Sequence, residues 1–264
     1  LRNHGWKGRI ILFEAESHLP YAKPPLSKTY LTELSGTAEI KSKNAYSQQD
    51  IDLRIGSRVC EIDGVNQSVS LDDGTEILFD FLVLGVGAKA VIPPIEGINS
   101  PHVCYLRNLT DAHKIKKAVL KKDCNKILII GAGYVGLEIA ASLRKLQKSV
   151  VMVERENRIL SRVTSEVTSA YFHELHTNNG VEIFCGKGVT AIKKEGKQST
   201  VFCSDGTTFS ADLIIVGVGA IPQTKLAEQA GLDIDEGVLI DQSCRTSNSA
   251  IFAIGDCTRF KHPL

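Results

Sequence analysis

Three glycines and one glutamate are spaced so that together they could hold a phosphate-linked ligand. Gly131, Gly133 and Gly136 follow the apolar run at residues 127–130, and Glu154 lies 23 residues after the first glycine. At this spacing the first glycine permits a tight turn, the second lets backbone approach a pyrophosphate, and the third lets a helix pack on a strand. A carboxylate about 20 residues further on can bond a ribose 2′-hydroxyl. The pattern predicts a dinucleotide site.

The elements that must position these residues can be read from the apolar pattern. Residues 127–130 predict a strand buried on both faces of a parallel sheet, and 149–153 predict a second strand that ends at Glu154. Between them Val135, Ile139, Leu143 and Leu146 recur at helical spacing. The helix would direct free N–H groups and its positive dipole end at the phosphates. The alternative is an α/β turn that merely favours glycine.

Composition sets limits on the class of protein. With 264 residues, 43% apolar residues and a net charge of +1, we expect about two globular domains and no general affinity for nucleic acid. No apolar run is long enough to span a bilayer. The seven scattered cysteines form no C-x-x-C pair, which predicts a reduced, cytoplasmic location and argues against a dithiol centre. The histidines show no metal-ligand spacing, so no metal site is assigned.

Two internal similarities predict a duplicated unit. Asp73-Gly74, Asp80 and the run 85–88 recur 132 residues later as Asp205-Gly206, Asp212 and 217–220, and the pattern of 9–14 recurs 140 residues later as 149–154. The 140-residue offset places the first copy's leading glycine before residue 1. We therefore expect a fragment without that copy's first strand, glycine loop and most of a helix, one that binds NADH better than FAD and does not turn over.

Local signals add three expectations. Pro24 and Pro25 exclude regular structure at first, and Ser27 is predicted to cap a helix that runs on through Tyr30. Residues 81–84 read as a buried strand. The proline-rich segment 88–108 predicts a domain boundary.

Taken together, these motifs resemble those of FAD-dependent, NAD(P)H-using reductases with two dinucleotide domains. The likeness is to the ferredoxin reductases of aromatic-ring dioxygenases and to rubredoxin and putidaredoxin reductases. It covers the whole chain. Its most specific parts are the glycine core, Cys-Arg-Thr-Ser at 244–247, Ile-Phe-Ala-Ile-Gly-Asp at 251–256, and His-Leu-Pro-Tyr-Ala-Lys-Pro-Pro-Leu-Ser-Lys at 18–28.

The resemblance implies an α/β fold with two Rossmann-like dinucleotide-binding domains, truncated at both ends. Residues 1–108 and 237–264 would form an incomplete, discontinuous FAD domain. Residues 109–236 would form an inserted NAD(P) domain, and a C-terminal interface domain would be absent.

The resemblance also assigns roles to individual residues. Lys28, near flavin N5, and Glu138, near the nicotinamide, would be catalytic and would approach each other. The residues implied in FAD binding are Glu14, Lys28, Val59, Gly87, Arg107 and Asp256. Those implied in NAD binding are Gly131, Gly133, Gly136, Glu138, Glu154, Gly217 and Gly219.

Three positions depart from the family pattern. Lys23 stands where the family has arginine, and Val86 where threonine is common. The family's adenosine-ribose acid aligns with Ala15, whereas the internal repeat indicates Glu14; we prefer Glu14, with Glu16 as the alternative.

The implied activity is transfer of hydride from NADH, preferred over NADPH, to FAD and then of single electrons to a ferredoxin-type [2Fe–2S] partner. One alternative is a related flavin reductase that uses rubredoxin, a quinone or oxygen. Another is a redox-sensing protein similar to apoptosis-inducing factor. The lysines at 114, 116, 117, 121 and 122 form either a solvated helix face or a docking surface for the acidic partner.

Overall fold

The structure is a computed structural model that describes residues 1–33 and 38–261. Its strands are β1 (Ile10–Glu14), β2 (Ile51–Ile55), β3 (Val59–Asp63), β4 (Ser68–Leu71), β5 (Glu76–Leu78), β6 (Leu82–Leu84), β7 (Ala88–Ala90), β8 (Val103–Tyr105), β9 (Lys126–Ile130), β10 (Ser149–Val153), β11 (Val181–Phe184), β12 (Val189–Glu195), β13 (Gln198–Cys203), β14 (Thr208–Ala211), β15 (Leu213–Val216), β16 (Ala220–Pro222), β17 (Val238–Ile240), β18 (Ile251–Ala253) and β19 (Thr258–Phe260).

Helices connect many of these strands. They are α1 (Thr29–Thr32), α2 (Lys43–Gln48), α3 (Leu109–Val119), α4 (Tyr134–Lys145), α5 (Glu166–Asn178) and α6 (Lys225–Gln229), with 3-10 turns at Arg2–His4, Pro24–Ser27 and Gly255–Cys257. Within the described ranges, no helix is long and apolar enough to cross a membrane.

The chain divides into two compact units. Unit 1 comprises Leu1–Ala22, Glu39–Lys89 and Ala220–Leu264, and unit 2 comprises Lys23–Ala38 and Ala90–Gly219. This division differs from the predicted domain limits at three segments, 23–38 and 90–108, which group with unit 2, and 220–236, which groups with unit 1.

Unit 2 is built on a five-stranded parallel sheet in the order β11-β10-β9-β15-β8. One face packs against α3, α4 and α5 through a core that includes Ile115, Ile139 and Leu143, each fully buried. The other face packs against the antiparallel sheet β12-β13-β14 through a second core that includes Ile214 and Val201. Because both faces are covered, β9 reads as a continuous apolar run, as the sequence predicts.

Unit 1 contains smaller sheets. β1 pairs with β2 and β6 with β18, both in parallel, and β3-β4-β5 form an antiparallel sheet. A core that includes Ile62, Val238 and Ile251 packs beneath them. The expectation of a buried strand at 81–84 is only partly correct, because Phe81 is 57% exposed and Val83 48% exposed. Phe81 packs instead against the rings of Trp6 and Phe252.

The predicted duplication is visible in the hydrogen bonds of the two units. β1 pairs with β2 from Ile10↔Ile51, and β10 pairs with β11 from Val150↔Val181. After each pair the same backbone hydrogen bond recurs in the loop. The Ser57 N–H donates to the Glu14 carbonyl, and the Lys187 N–H donates to the Glu154 carbonyl. Glu14 is therefore the structural counterpart of Glu154, in agreement with the repeat.

The two copies differ at their matching aspartates. The Asp212 carboxylate in unit 2 accepts bonds from the backbone N–H groups of Asn125 and Lys126 and from the Gln198 amide. These bonds join the start of β9 to β13. Burial raises the pKa of Asp212, but the three hydrogen bonds outweigh it and hold that pKa below its usual value. Within the described residues, the side chain of its counterpart Asp80 makes no such bonds.

We expect Asp212→Asn to lower the free energy of unfolding by about 1–2 kcal/mol, because charge-assisted bonds are replaced by neutral ones. The matched control Asp80→Asn should change it by less than about 0.5 kcal/mol. Since the folded-state pKa of Asp212 is depressed, its contribution is present above the unfolded-state value of about 3.9 and is lost as pH falls toward the folded-state pKa. Urea unfolding of both variants at pH 7 and pH 3 measures the free energy of unfolding. Equal effects of the two variants on this free energy would contradict the stabilising role of the Asp212 carboxylate.

Candidate functional site

The loop between β9 and α4 has the geometry that its glycines predict. Gly131 has φ +100°, and a Cβ there would lie 2.6 Å from the Gly217 carbonyl oxygen. A Cβ on Gly136 would lie 2.3 Å from the Gly131 carbonyl oxygen, so this glycine lets the helix approach the turn. Gly133 differs, because among the described residues no atom beyond its own neighbours in the chain lies within 4 Å of the Cβ position. The loop therefore leaves open space in front of its middle glycine.

The first turn of α4 faces that space. Gly133 is the N-cap of this 12-residue helix and provides no side-chain cap, so the first N–H groups lack the usual side-chain acceptor. The helix predicted from the spacing of Val135, Ile139 and Leu143 is present, but Val135 is 43% exposed, and Tyr134 beside it is also exposed. Gly136, Leu137 and Ala140 supply the buried face with Ile139 and Leu143. An uncapped helix end with exposed residues around it is suited to an anion.

Glu154 lies directly behind this loop. One carboxylate oxygen accepts from the Ala132 N–H at 2.7 Å, and the other accepts from the Glu156 N–H at 2.9 Å. These bonds fix the carboxylate at the carboxyl end of β10, beside the glycine loop. Of the two nearby arginines, Arg155 pairs with Glu156, and Arg158 donates to the Ser161 carbonyl.

The two residues predicted to be catalytic form an ion pair within unit 2. Lys28 Nζ lies 2.8 Å from Glu138 Oε1, although 110 positions separate the residues in sequence. Glu138 is the fifth residue of α4 and so lies in its second turn. Both side chains are partly exposed, at 47% and 35%. The pair is therefore accessible to a ligand and contributes little to stability.

Ser27 completes this pair, and the sequence prediction for Ser27 is wrong. It does not cap α1; the N-cap residue is Lys28, and no side-chain cap is made. Ser27 ends the 3-10 turn, is 5% exposed, and donates its hydroxyl to Glu138 Oε2 at 2.5 Å. Its carbonyl accepts from the Ser142 hydroxyl at 2.7 Å. No local sequence signal could reveal these contacts, because Ser27 lies more than 100 residues from Glu138 and Ser142.

The residues predicted to bind FAD fall on both units. Glu14 ends β1 and accepts from the Glu16 N–H, and Val59 begins β3 beside a bulge. Gly87 adopts φ +68°, and Asp256 lies in the 3-10 turn after β18. These four belong to unit 1, whereas Lys28 and Arg107 belong to unit 2. Glu16, the alternative to Glu14, is engaged by the Tyr21 hydroxyl at 2.8 Å.

Arg107 precedes a well-formed helix start. Asn108 and Asp111 form a capping box on α3, and Asp111 also accepts from the Arg107 N–H at 3.0 Å.

The remaining predicted NAD residues, Gly217 and Gly219, follow β15 at the same end of the parallel sheet as the glycine loop. Ligands of open α/β sheets bind at this end.

The lysines of α3 do not form one uniform face. Lys116 donates to the carbonyls of Tyr30, at 2.9 Å, and Glu33, at 2.5 Å, and its Nζ lies 4.9 Å from the Tyr30 ring centroid. It therefore caps the carboxyl end of α1 and helps to fix the segment that follows Lys28. Of the other four predicted lysines, those at 114 and 117 are exposed on α3, and those at 121 and 122 are exposed beyond its end at Val119.

The cysteines show no redox arrangement. All seven are free thiols. Burial raises the pKa of four of them, Cys104, Cys124, Cys185 and Cys203, which keeps them protonated and unreactive. Among the residues that the structure describes, no group of three or more metal-ligating side chains comes together.

Comparison with known proteins decides the family. The family described as pyridine nucleotide-disulphide oxidoreductase matches residues 1–263. The chain belongs to this family. Among its curated members, the rhodocoxin reductase of Rhodococcus erythropolis is 37% identical over 266 residues, and the putidaredoxin reductase of Pseudomonas putida is 38% identical over 273 residues. Both alignments cover all of this chain.

Solved members of the family share its fold. The ferredoxin reductase for the CYP199A2 system from Rhodopseudomonas palustris matches with a TM-score of 0.94 and 36% identity, over 99% of this chain and 65% of that one. The covalent putidaredoxin reductase–putidaredoxin complex matches with a TM-score of 0.93. The chain spans 62% and 64% of the rhodocoxin and putidaredoxin reductases. The predicted α/β fold with Rossmann-like units is confirmed.

Proposed function

We propose that the protein is an FAD-dependent NADH reductase that passes electrons to a ferredoxin-type [2Fe–2S] protein. Relatives of 34–38% identity support this, since their names are rhodocoxin, putidaredoxin, terpredoxin and rubredoxin reductase and ferredoxin–NAD(+) reductase components of dioxygenases. Because these relatives are longer than this chain, the activity is proposed for the whole protein. The seven free thiols support a cytoplasmic location.

For NAD, the glycine loop and α4 fit a pyrophosphate. The uncapped helix N-terminus would donate its N–H groups, and the open space at Gly133 would admit the phosphates. Glu154, already held beside the loop, would accept from a ribose hydroxyl. Gly217 and Gly219 would line the same end of the sheet. Glu138 would lie next to the reacting end of the nucleotide.

For FAD, we assign Glu14 to the adenosine ribose because it repeats the position and bonding of Glu154. The Val59 backbone, Gly87, Arg107 and Asp256 are the other proposed contacts. Residues 1–108 and 237–264 are proposed as the FAD domain and 109–236 as the NAD domain. Bound FAD would supply the chemistry of accepting a hydride and releasing single electrons.

The residues of this chain supply positioning and charge. Lys28 places a cation at the reaction site, and Glu138 balances that cation when it has no other negative partner. Because both side chains are partly exposed, Lys28 can separate from Glu138 and pair with a negatively charged group of a ligand. No cysteine or metal ion has a role in these steps.

The observation that carries this proposal is the Lys28–Glu138 ion pair, which joins Lys28 to the second turn of the helix that follows the glycine loop. The test is steady-state reduction of a [2Fe–2S] ferredoxin, a rubredoxin and oxygen by the full-length protein with FAD and NADH. Faster reduction of the ferredoxin supports the proposal. A higher kcat/KM for rubredoxin or oxygen would assign the protein to another acceptor class.

We expect NADH to be preferred over NADPH, because the Glu154 carboxylate would repel a 2′-phosphate. Of the two nearby arginines, Arg155 is paired with Glu156, and Arg158 donates from Nη2 to the Ser161 carbonyl. Glu154→Ala should lower the ratio of kcat/KM for NADH to kcat/KM for NADPH about tenfold, mainly because kcat/KM for NADH falls. Glu182→Ala, which removes an exposed carboxylate on β11, is the control. Equal kcat/KM values for the two nucleotides in the unchanged enzyme would refute the role of Glu154.

No cysteine is expected to be needed for turnover. Cys257 lies next to the proposed flavin residue Asp256, but it is fully buried and its thiol donates to the Ile254 carbonyl at 3.2 Å. Cys257→Ser should therefore keep flavin reduction by NADH within about threefold of the unchanged enzyme, since serine can make the same bond. Stopped-flow absorbance measures this. A variant that retains FAD but is no longer reduced would overturn it.

A further inference from the structure

The Lys28–Glu138 pair has a third member whose contacts are more buried than the pair itself. The partly exposed Lys28 pairs with Oε1 of Glu138, and the buried Ser27 hydroxyl donates to Oε2 at 2.5 Å. That distance is typical of a hydroxyl that donates to an ionised carboxylate. Ser27 and Lys28 are consecutive, so one short segment binds both oxygens of one side chain.

The hydroxyl of Ser27 is committed to Glu138. A serine hydroxyl has one proton, and within residues 1–33 and 38–261 its only other acceptor is the Pro24 carbonyl at 3.4 Å, which is far weaker. Ser27 itself is fixed by α4, because its carbonyl accepts from Ser142, one helical turn beyond Glu138. The helix thus holds the 3-10 turn at two successive positions on one face.

We propose that Ser27 is a positioning residue for the reaction assigned above. It fixes the rotamer of Glu138 and gives the carboxylate a remaining partner when Lys28 turns toward a ligand. With Ser27 present, separation of the ion pair leaves Glu138 hydrogen-bonded. Without it, the carboxylate either rotates or holds Lys28 more tightly. This inference rests on the proposed function, since it concerns the same pair.

The test uses the full-length enzyme with FAD and three serine variants. Ser27→Ala removes the donor, and Ser27→Thr keeps a hydroxyl. Ser169→Ala is the matched control, because Ser169 is also a buried serine of unit 2 whose hydroxyl makes a 2.7 Å bond, to the Ile159 carbonyl, away from the pair. Stopped-flow kinetics give the rate constant of flavin reduction at saturating NADH and, separately, the Kd for NADH.

We expect Ser27→Ala to lower the rate constant about tenfold while the Kd for NADH changes less than about twofold. Ser27→Thr should remain within about threefold, and Ser169→Ala should match the unchanged enzyme. A merely structural role would predict equal effects of Ser27→Ala and Ser169→Ala on the rate. That result would overturn the proposal.

A double-mutant cycle decides whether Ser27 acts through Glu138. In a Glu138→Gln background, Ser27→Ala should change the rate constant less than about twofold, because the group it orients is no longer a carboxylate. An undiminished tenfold loss there would show that Ser27 acts by another route. Crystal structures provide a readout independent of rate: Glu138 should occupy one rotamer in Ser27→Thr and more than one in Ser27→Ala. A single unchanged rotamer in both would contradict the proposal.

These outcomes separate the two proposals. If the unchanged enzyme did not bind FAD, or its flavin were not reduced by NADH, the proposed function would fail. If it were reduced normally and Ser27→Ala were equally fast, only the role of Ser27 would fail.

Discussion

Gly133→Ala is expected to leave the protein folded and to weaken NADH binding by about 10- to 100-fold. Apart from its neighbours in the chain, a Cβ at this position meets no atom of the described residues within 4 Å, and φ is −82°, which any residue adopts. The lost preference for glycine at an N-cap and the reduced entropy of the unfolded chain are of similar size and opposite sign. Stability should therefore stay within about 1 kcal/mol. The new methyl group occupies the space proposed for the pyrophosphate, which accounts for the loss of affinity.

Gly131→Ala, two residues away, provides the contrast. It places a Cβ 2.6 Å from the Gly217 carbonyl oxygen on a backbone with φ +100°. Steric overlap and backbone strain together should lower the free energy of unfolding by about 2–4 kcal/mol. Calorimetric titration with NADH and urea unfolding of both variants separate the two roles. If Gly133→Ala bound NADH as tightly as the unchanged protein, the open space would not be the phosphate site.

Lys28→Met should reduce the rate constant of flavin reduction by NADH about 100-fold with little effect on stability. Loss of one preorganised charged group at a reaction centre has effects of this size. The ion pair is partly exposed, so its removal should change the free energy of unfolding by less than about 1 kcal/mol. The measurement is single-turnover reduction of the full-length enzyme with FAD, together with urea unfolding.

Lys117→Met is the matched control for this variant, because Lys117 is an exposed lysine of the same unit on α3. In this control variant, the rate constant of flavin reduction by NADH should equal that of the unchanged enzyme. A loss of less than about threefold in Lys28→Met, or an equal loss in Lys117→Met, would remove Lys28 from the reaction.

Comparison of the predicted and observed elements shows where the sequence suffices. The strand 127–130 and the glycine loop were predictable because an unbroken apolar run and the spacing of the three glycines and Glu154 can be read directly from the sequence. The duplication was also readable, since the Asp-Gly turns and the acids that end β1 and β10 repeat in sequence and in hydrogen bonding. The approach of Lys28 to Glu138 was predictable only through family resemblance.

The errors arose where distant segments compete for a residue. Ser27 has a good capping side chain, but the partly exposed Glu138 carboxylate on α4 accepts its hydroxyl proton, and the backbone N–H groups of the four-residue helix α1 receive no side-chain cap. Val135 fits the helical period, but it lies in the first turn of α4 and its side chain is exposed. Lys116 fits a solvated face, yet it binds two carbonyls at the end of α1.

The sequence by itself therefore determined the fold class, the family and the geometry of the glycine loop, because local periodicity and glycine spacing are encoded in consecutive residues. Only the tertiary structure decided how the charged site is assembled. The Lys28–Glu138 pair, its Ser27 donor and the Ser142 bond depend on contacts between segments more than 100 residues apart. Such contacts are selected by packing and by the cost of leaving a polar group without a partner, which no local pattern records.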